Sequence, residues 1–158
     1  MRRPQTMPPL TRRPLTAAER TLADEMFGGG LDAQRVRLLA IPVWRRAFVA
    51  GPSLMVWPAH QALSDFAAAP LGLQATFVHE LTHVWQAQRG VFLPLAKLRA
   101  GDSAAAYAYD LASGPPFGEL NIEQQASVVE HAFLASRGAA TPFAGRLYAE
   151  TASAWRSV

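Results

Sequence analysis

Cysteine is absent from this chain of 158 residues, so disulfides and thiolate-held metals are both excluded. A bound metal would have to take His, Asp, Glu or water as its ligands. The lack of cysteine also fits a reducing compartment. Lysine is almost absent: of 15 cationic residues, Lys97 is the single lysine. Cations and aromatics do not interleave near the N-terminus, which speaks against a nucleic-acid surface despite a net charge of +3. No stretch approaches the ~18 uninterrupted apolar residues of a membrane span. No signal peptide is expected either. Arg2 and Arg3 open like its basic head, yet Pro4, Gln5, Pro8, Pro9, Arg12 and Arg13 stand where its apolar core should be. A cytoplasmic location is therefore expected.

What is present begins with a hydrophobic content of 50%, enough for one domain with a real core. Charge is unevenly placed. Residues 1–46 hold nine arginines against four acids, a balance of +5, whereas residues 47–158 balance to −2. Residues 1–14 contain four Arg and four Pro and cannot build a core of their own. This segment is expected to be flexible, loose or draped over the surface, and either a free tail or a strand lying across an acidic cleft. Residues 15–158 are expected to form a single domain.

At the centre of the chain stands His79-Glu80-Leu81-Thr82-His83. Its flanks, from Phe77 to Trp85, are uncharged and free of Pro and Gly, and Leu73, Phe77 and Leu81 recur every fourth residue. That pattern predicts a helix over 70–88 packed on a core. With 3.6 residues per turn, His79 and His83 sit one turn apart on one face, so both imidazoles reach one ion. Glu80 lies about 100° round, close to a water on that ion. Zinc suits the arrangement, since it accepts neutral imidazole nitrogens and in catalytic sites keeps a position for water. The bland reading, a buried helix with merely hydrogen-bonded histidines, must place two His and a Glu among apolar residues without a partner. That is costly.

The remaining elements are read around this helix. Thr16 and Glu19 form a capping box that opens a helix, and Gly28-Gly29-Gly30 stops it. Residues 36–41 read as a strand, and 47–50 with 54–57 as a hairpin around Gly51-Pro52-Ser53. Arg45 and Arg46, beside Trp44, read as a solvated strand end or a partner contact, and His60 as a surface histidine. A short helix is expected within 92–99, a strand or helical turn at 107–111, and a loop at 114–118. Asn121 caps a helix over 121–136, with Ile122, Ala126, Val129 and Phe133 on one face and Glu123, Ser127 and Glu130 on the adjacent one. A last helix is expected from Thr141-Pro142, with Phe143, Leu147 and Trp155 inward.

Two histidines do not close a zinc site. A third His six residues after His83 is ruled out, because position 89 is Arg. Downstream acids and one imidazole remain: Asp102, Asp110, Glu119, Glu123, Glu130, His131 and Glu150. Glu123 is selected, in the first turn of a strongly patterned helix beside its apolar face. An ordinary first-turn acid favoured by the helix dipole would look the same. Glu130, two turns later on the same face, is the alternative ligand, or an acceptor for a ligand histidine.

Three segments together carry a family resemblance: His79 to Gln86, Tyr107-x-Tyr109-Asp110-Leu111, and Asn121-Ile122-Glu123-Gln124-Gln125-Ala126. With the opening Leu15-Thr16-x-x-Glu19-Arg20, they resemble the small zincin-type, Vgr-related metallopeptidases over residues 14–138. The resemblance implies an α+β minimal zincin-like fold, with a small mixed sheet on the motif helix and a second, Glu-bearing helix beside it. It implies Zn²⁺ held by His79, His83 and Glu123, near the gluzincins, and a peptide or protein substrate in a cleft. It also implies a bacterial secretion-system setting, hence a secretion-system partner and export by specialised machinery. No larger substrate-binding domain of the gluzincin kind is recognisable.

In a peptidase, Glu80 would serve as general base, and Tyr107 or Tyr109 would donate to the oxyanion. Tyrosines at i and i+2 share one face of a strand, though such residues are more often core or rim. The alternative function is a zinc-binding, catalytically weak adaptor of a secretion system. Loss of Glu80 would mark it, and Glu80 is present.

Overall fold

The computed structural model describes residues 4–156. Its first element is a short strand, β1 (Arg12–Pro14), followed by α1 (Ala17–Phe27). The Thr16 hydroxyl accepts from the Glu19 backbone N–H, and Gly28 ends the helix at φ 56°, where a side chain would be strained. Strands β2 (Arg37–Ile41), β3 (Phe48–Gly51) and β4 (Leu54–Pro58) complete a four-stranded sheet of order β1-β2-β4-β3. The β1/β2 and β3/β4 pairs are antiparallel and β2/β4 is parallel, so the sheet is mixed. The fold is α+β, as expected.

Residues 4–14 do not hang free. Thr6 bridges Leu63, the Met7 N–H donates to Ala62 O at 2.7 Å, and Arg12–Pro14 pair with β2. Arg13 forks onto Glu19 with both contacts at 2.7 Å and also donates to Leu63 O. Glu19 is fully buried and accepts two further N–H groups, from Thr16 and Phe66. Of the alternatives the sequence left, these residues are draped over the surface, where a buried carboxylate holds one of their arginines and a sheet edge takes their backbone. Nor do residues 4–14 border the cleft described below. Arg2 and Arg3 lie outside the described residues.

Helix α2 (Leu71–Gln88) carries the His-Glu-x-x-His run and is the spine of the molecule. It is buried on most sides from Ala75 to Gln86, packs against β3 and β4 on one side, and meets α5 (Ile122–Ser136) on the other. Trp57 of β4, Phe66 and Phe77 form a continuous aromatic stack, with centroids 4.3 and 5.0 Å apart, that fastens sheet to helix. Leu73 is more exposed than the periodicity suggests, at 37%. Between α2 and α5 lie α3 (Leu93–Ala100) and the single turn α4 (Ala104–Tyr107). The expected last helix begins later, as α6 (Gly145–Thr151) and α7 (Ser153–Arg156), and its buried anchors are Tyr148 and Trp155.

Among the described residues, no helix is long and apolar enough to cross a membrane.

Candidate metal centre

Helical spacing does what the sequence requires of it. His79 and His83 stand one turn apart on α2, with ring centroids 5.1 Å apart. Opposite them, the first turn of α5 presents Glu123. Asn121 caps that turn, its side chain accepting from the N–H groups of Glu123 and Gln124, and Gln124 returns the bond to the Asn121 backbone. The cap fixes where Glu123 begins its helix and thus where its carboxylate lies.

Glu123 Oε2 faces His79 Nε2 at 3.3 Å and His83 Nε2 at 3.5 Å. One ligand atom from each of the three residues lies within 4.8 Å of the other two. The second ring nitrogens are anchored from behind. His79 Nδ1 donates to Glu130 Oε2 at 2.8 Å, and His83 Nδ1 donates to Gln86 Oε1 at 2.8 Å. Gln86 is itself held, its amide donating to Ile122 O and Gln125 Oε1, both at 2.9 Å. With both of its hydrogens spent, Gln86 turns its oxygen to His83, which must then carry its proton on Nδ1. In the neutral imidazoles this tautomer turns both Nε2 lone pairs toward Glu123, the arrangement a metal would need.

The residues thus fit a divalent metal by chemistry and by orientation. Glu130 takes the supporting role offered as its second reading, behind His79. Gln86 was missed as a support; its place one turn from His83 on the same face was the signal that could have shown it.

Electrostatics follow from this crowding. Burial alone would lower the pKa of His79, but its hydrogen bonds to the Glu123 and Glu130 carboxylates outweigh it and raise the value to about 9. Burial would raise Glu123, yet His79, His83 and Lys97 hold its carboxyl far below the usual range. Lys97 Nζ sits 2.6 Å from Glu123 Oε1 and 3.1 Å from both the Tyr107 hydroxyl and Asp102.

The two tyrosines part company. Tyr107 closes α4 and borders the same cavity as His79, Glu80 and His83. Tyr109 does not: its hydroxyl is shared between His131 Nδ1 and Tyr148, each at 2.6 Å, and it is tied to α5 and α6. A strand would have put both phenols on one face, but the backbone leaves helical geometry at Ala108 instead. Asp110 caps the turn at 112–113, and His60 is exposed.

Glu80 is buried beside His79 and His83, and its Oε2 has no hydrogen-bond partner among the described residues. An unpaired buried carboxylate oxygen is costly unless a water or ligand occupies the space before it. That space is a cavity of about 660 Å³, bordered by the three metal-facing residues, by the edge of β3 and by α3. Its size is in the range of ligand-binding clefts.

No family model matches the chain. It is 33% identical over 134 residues to the type VI secretion system spike protein VgrG2b of Pseudomonas aeruginosa. The match takes in 77% of this chain but only 13% of that protein's length. Among solved structures it matches the effector domain of Pseudomonas aeruginosa VgrG2b, with a TM-score of 0.68 and 32% identity. This likeness extends over 90% of the chain and 82% of the solved domain. The chain therefore belongs to the family of Vgr-related effector domains that includes that of VgrG2b.

Proposed function

We propose that the chain is a zinc-dependent metallopeptidase of zincin type, acting as an effector-type domain of a bacterial secretion system. One observation carries the reading. Two imidazole Nε2 atoms and one carboxylate oxygen converge at the base of an open cavity, next to a buried carboxylate whose Oε2 is unpartnered. His79, His83 and Glu123 would hold the ion. Zinc, when bound, supplies a Lewis acid and lowers the pKa of its water toward ~7.

The chain's own residues then have definite tasks. Glu80 takes the proton of the attacking water and returns it to the leaving amine. Glu130 and Gln86 hold the two imidazoles in their ligand tautomer. Tyr107, bordering the cavity with its hydroxyl on Lys97, is the donor placed to meet the oxyanion. Tyr109 is assigned a packing role, since both sides of its hydroxyl are engaged.

A second reading is a metal-binding, catalytically weak partner of the secretion apparatus. It is favoured by the description of the relatives as a spike protein and its effector domain. Metal analysis of protein purified without affinity metals, joined to a peptide-library digest before and after chelation, separates the two. The peptidase reading requires near one zinc per chain, cleavage lost to chelator and cleavage restored by zinc. Stoichiometric zinc without cleavage of any peptide selects the second reading.

A further inference from the structure

The loop between β2 and β3 places Trp44, Arg45 and Arg46 on the rim of the same cavity that holds His79, Glu80 and His83. Among the described residues neither arginine has an ion-pair partner, whereas Arg13, Arg137, Arg146 and Lys97 all do. None of the cavity's acids, Glu80, Asp102, Glu123 and Glu130, forms an ion pair with either arginine. Glu123 is engaged by Lys97 and the imidazoles, Glu130 by His79 and Asp102 by Lys97. Glu80 and Glu123 are buried with the histidines at the floor, Asp102 is exposed beside Lys97, and Arg45 and Arg46 stand exposed at the rim. Trp44 is half-exposed and packs on Phe48 of β3 with centroids 5.5 Å apart, which sets an apolar shelf next to the two guanidinium groups.

We propose that Arg45 and Arg46 form an anion-selecting subsite, so that the cleft takes peptide segments bearing an Asp or Glu side chain near the bond to be cut. The proposal rests on the peptidase reading of the site and names its substrate class. A guanidinium fork matches a carboxylate in two parallel hydrogen bonds, and an ammonium does not. Two adjacent forks on one loop hold a single carboxylate while the peptide backbone runs over the Trp44–Phe48 shelf. A nucleic acid fits less well, because a continuous phosphate chain would also have to cross Glu80, Glu130 and Asp102. The acids expected to converge in the cleft, Glu80, Glu123 and Glu130, do line it, and Arg45 and Arg46 add positive charge at its rim.

The test uses fluorogenic peptides of one neutral sequence, with a single Asp, Glu or Lys moved through the positions flanking the cut. The zinc-loaded wild-type chain is compared with the double variant Arg45→Glu/Arg46→Glu, with zinc content as the control for folding. Wild type should prefer the acidic peptide over its Lys counterpart by roughly tenfold in kcat/KM, mainly through KM, and less at high salt. The double variant should reverse that order.

In parallel, fluorescein-labelled copies of the peptides are titrated into Glu80→Gln protein and followed by anisotropy. Tighter binding of the acidic copy with no cleavage by wild type would sink the peptidase reading and keep the subsite. Equal binding and equal cleavage of acidic and Lys peptides would overturn the subsite. So would a short single-stranded oligonucleotide that displaces the acidic peptide at lower concentration than unlabelled peptide does.

Discussion

Lys97 Nζ lies 2.6 Å from Glu123 Oε1, while Glu123 Oε2 is the oxygen turned to the two imidazoles. The chain's single lysine thus divides one carboxylate between a cation of its own and the metal position. Lys97→Met removes that anchor and frees the carboxylate to rotate. Zinc affinity, measured by competition with a chromophoric chelator, should fall about 10- to 100-fold, and Lys97→Arg should retain most of it. Unchanged affinity in Lys97→Met would leave the lysine no part in placing Glu123.

The supports of the histidines should rank below the ligands. Gln86→Ala and Glu130→Ala each remove the acceptor behind one imidazole and should cost roughly 10- to 100-fold in zinc affinity. Glu123→Ala removes a ligand and should cost more than either, and His79→Ala or His83→Ala should abolish binding. Should Glu130→Ala prove more damaging than Glu123→Ala, the two acids have been assigned the wrong way round.

The metal-free protein should become less stable in alkali. The folded state raises His79 to about 9 through its two carboxylate partners, above the ordinary histidine value of ~6.5. A raised folded-state value means the charged imidazole stabilises the fold fully below the ordinary value. That contribution is lost as pH rises through about 9. The Tm of metal-stripped protein should therefore decline between about pH 6 and about pH 9.5, and His79→Ala should lose that slope. Zinc displaces the proton, so the loaded protein should not show the decline. An identical slope in wild type and His79→Ala would refute this assignment.

Arg13→Ala tests the docking of the N-terminal segment. It leaves Glu19, fully buried, with two N–H donors and no cation. Denaturant unfolding should show a loss of about 3 kcal/mol. On this account, deleting residues 2–14 destabilises the fold and does not uncover the cleft. Faster peptide cleavage after the deletion, with stability intact, would contradict it.

The motif helix, the capped helix bearing Glu123 and the hairpin were legible because each rests on local rules: apolar spacing, a capping residue, a turn. His79 and His83 needed only the helical repeat. Glu123 was reachable because its first-turn position follows from Asn121. What stayed hidden depends on long-range meetings. Arg13 with Glu19 required knowing that β1 runs beside β2 and turns into α1. Lys97 with Glu123 required the packing of α3 against α5. Residues 107–111 read equally as a strand or a helical turn, so whether Tyr107 and Tyr109 share a face could not be settled until α4 was seen to end at Tyr107. Arg45 and Arg46 read from the sequence as a solvated strand end or a partner contact, and their place at the cavity required knowing that the loop after β2 reaches α2.

The most direct test of the central claim compares wild type with Glu80→Gln, both zinc-loaded, on one peptide that wild type cleaves. Gln keeps the size of the side chain and takes away its capacity to accept a proton. The account predicts equal zinc content in both proteins and a kcat/KM lower by roughly 10²-fold or more in Glu80→Gln. Equal cleavage by the two proteins at equal zinc content would contradict it.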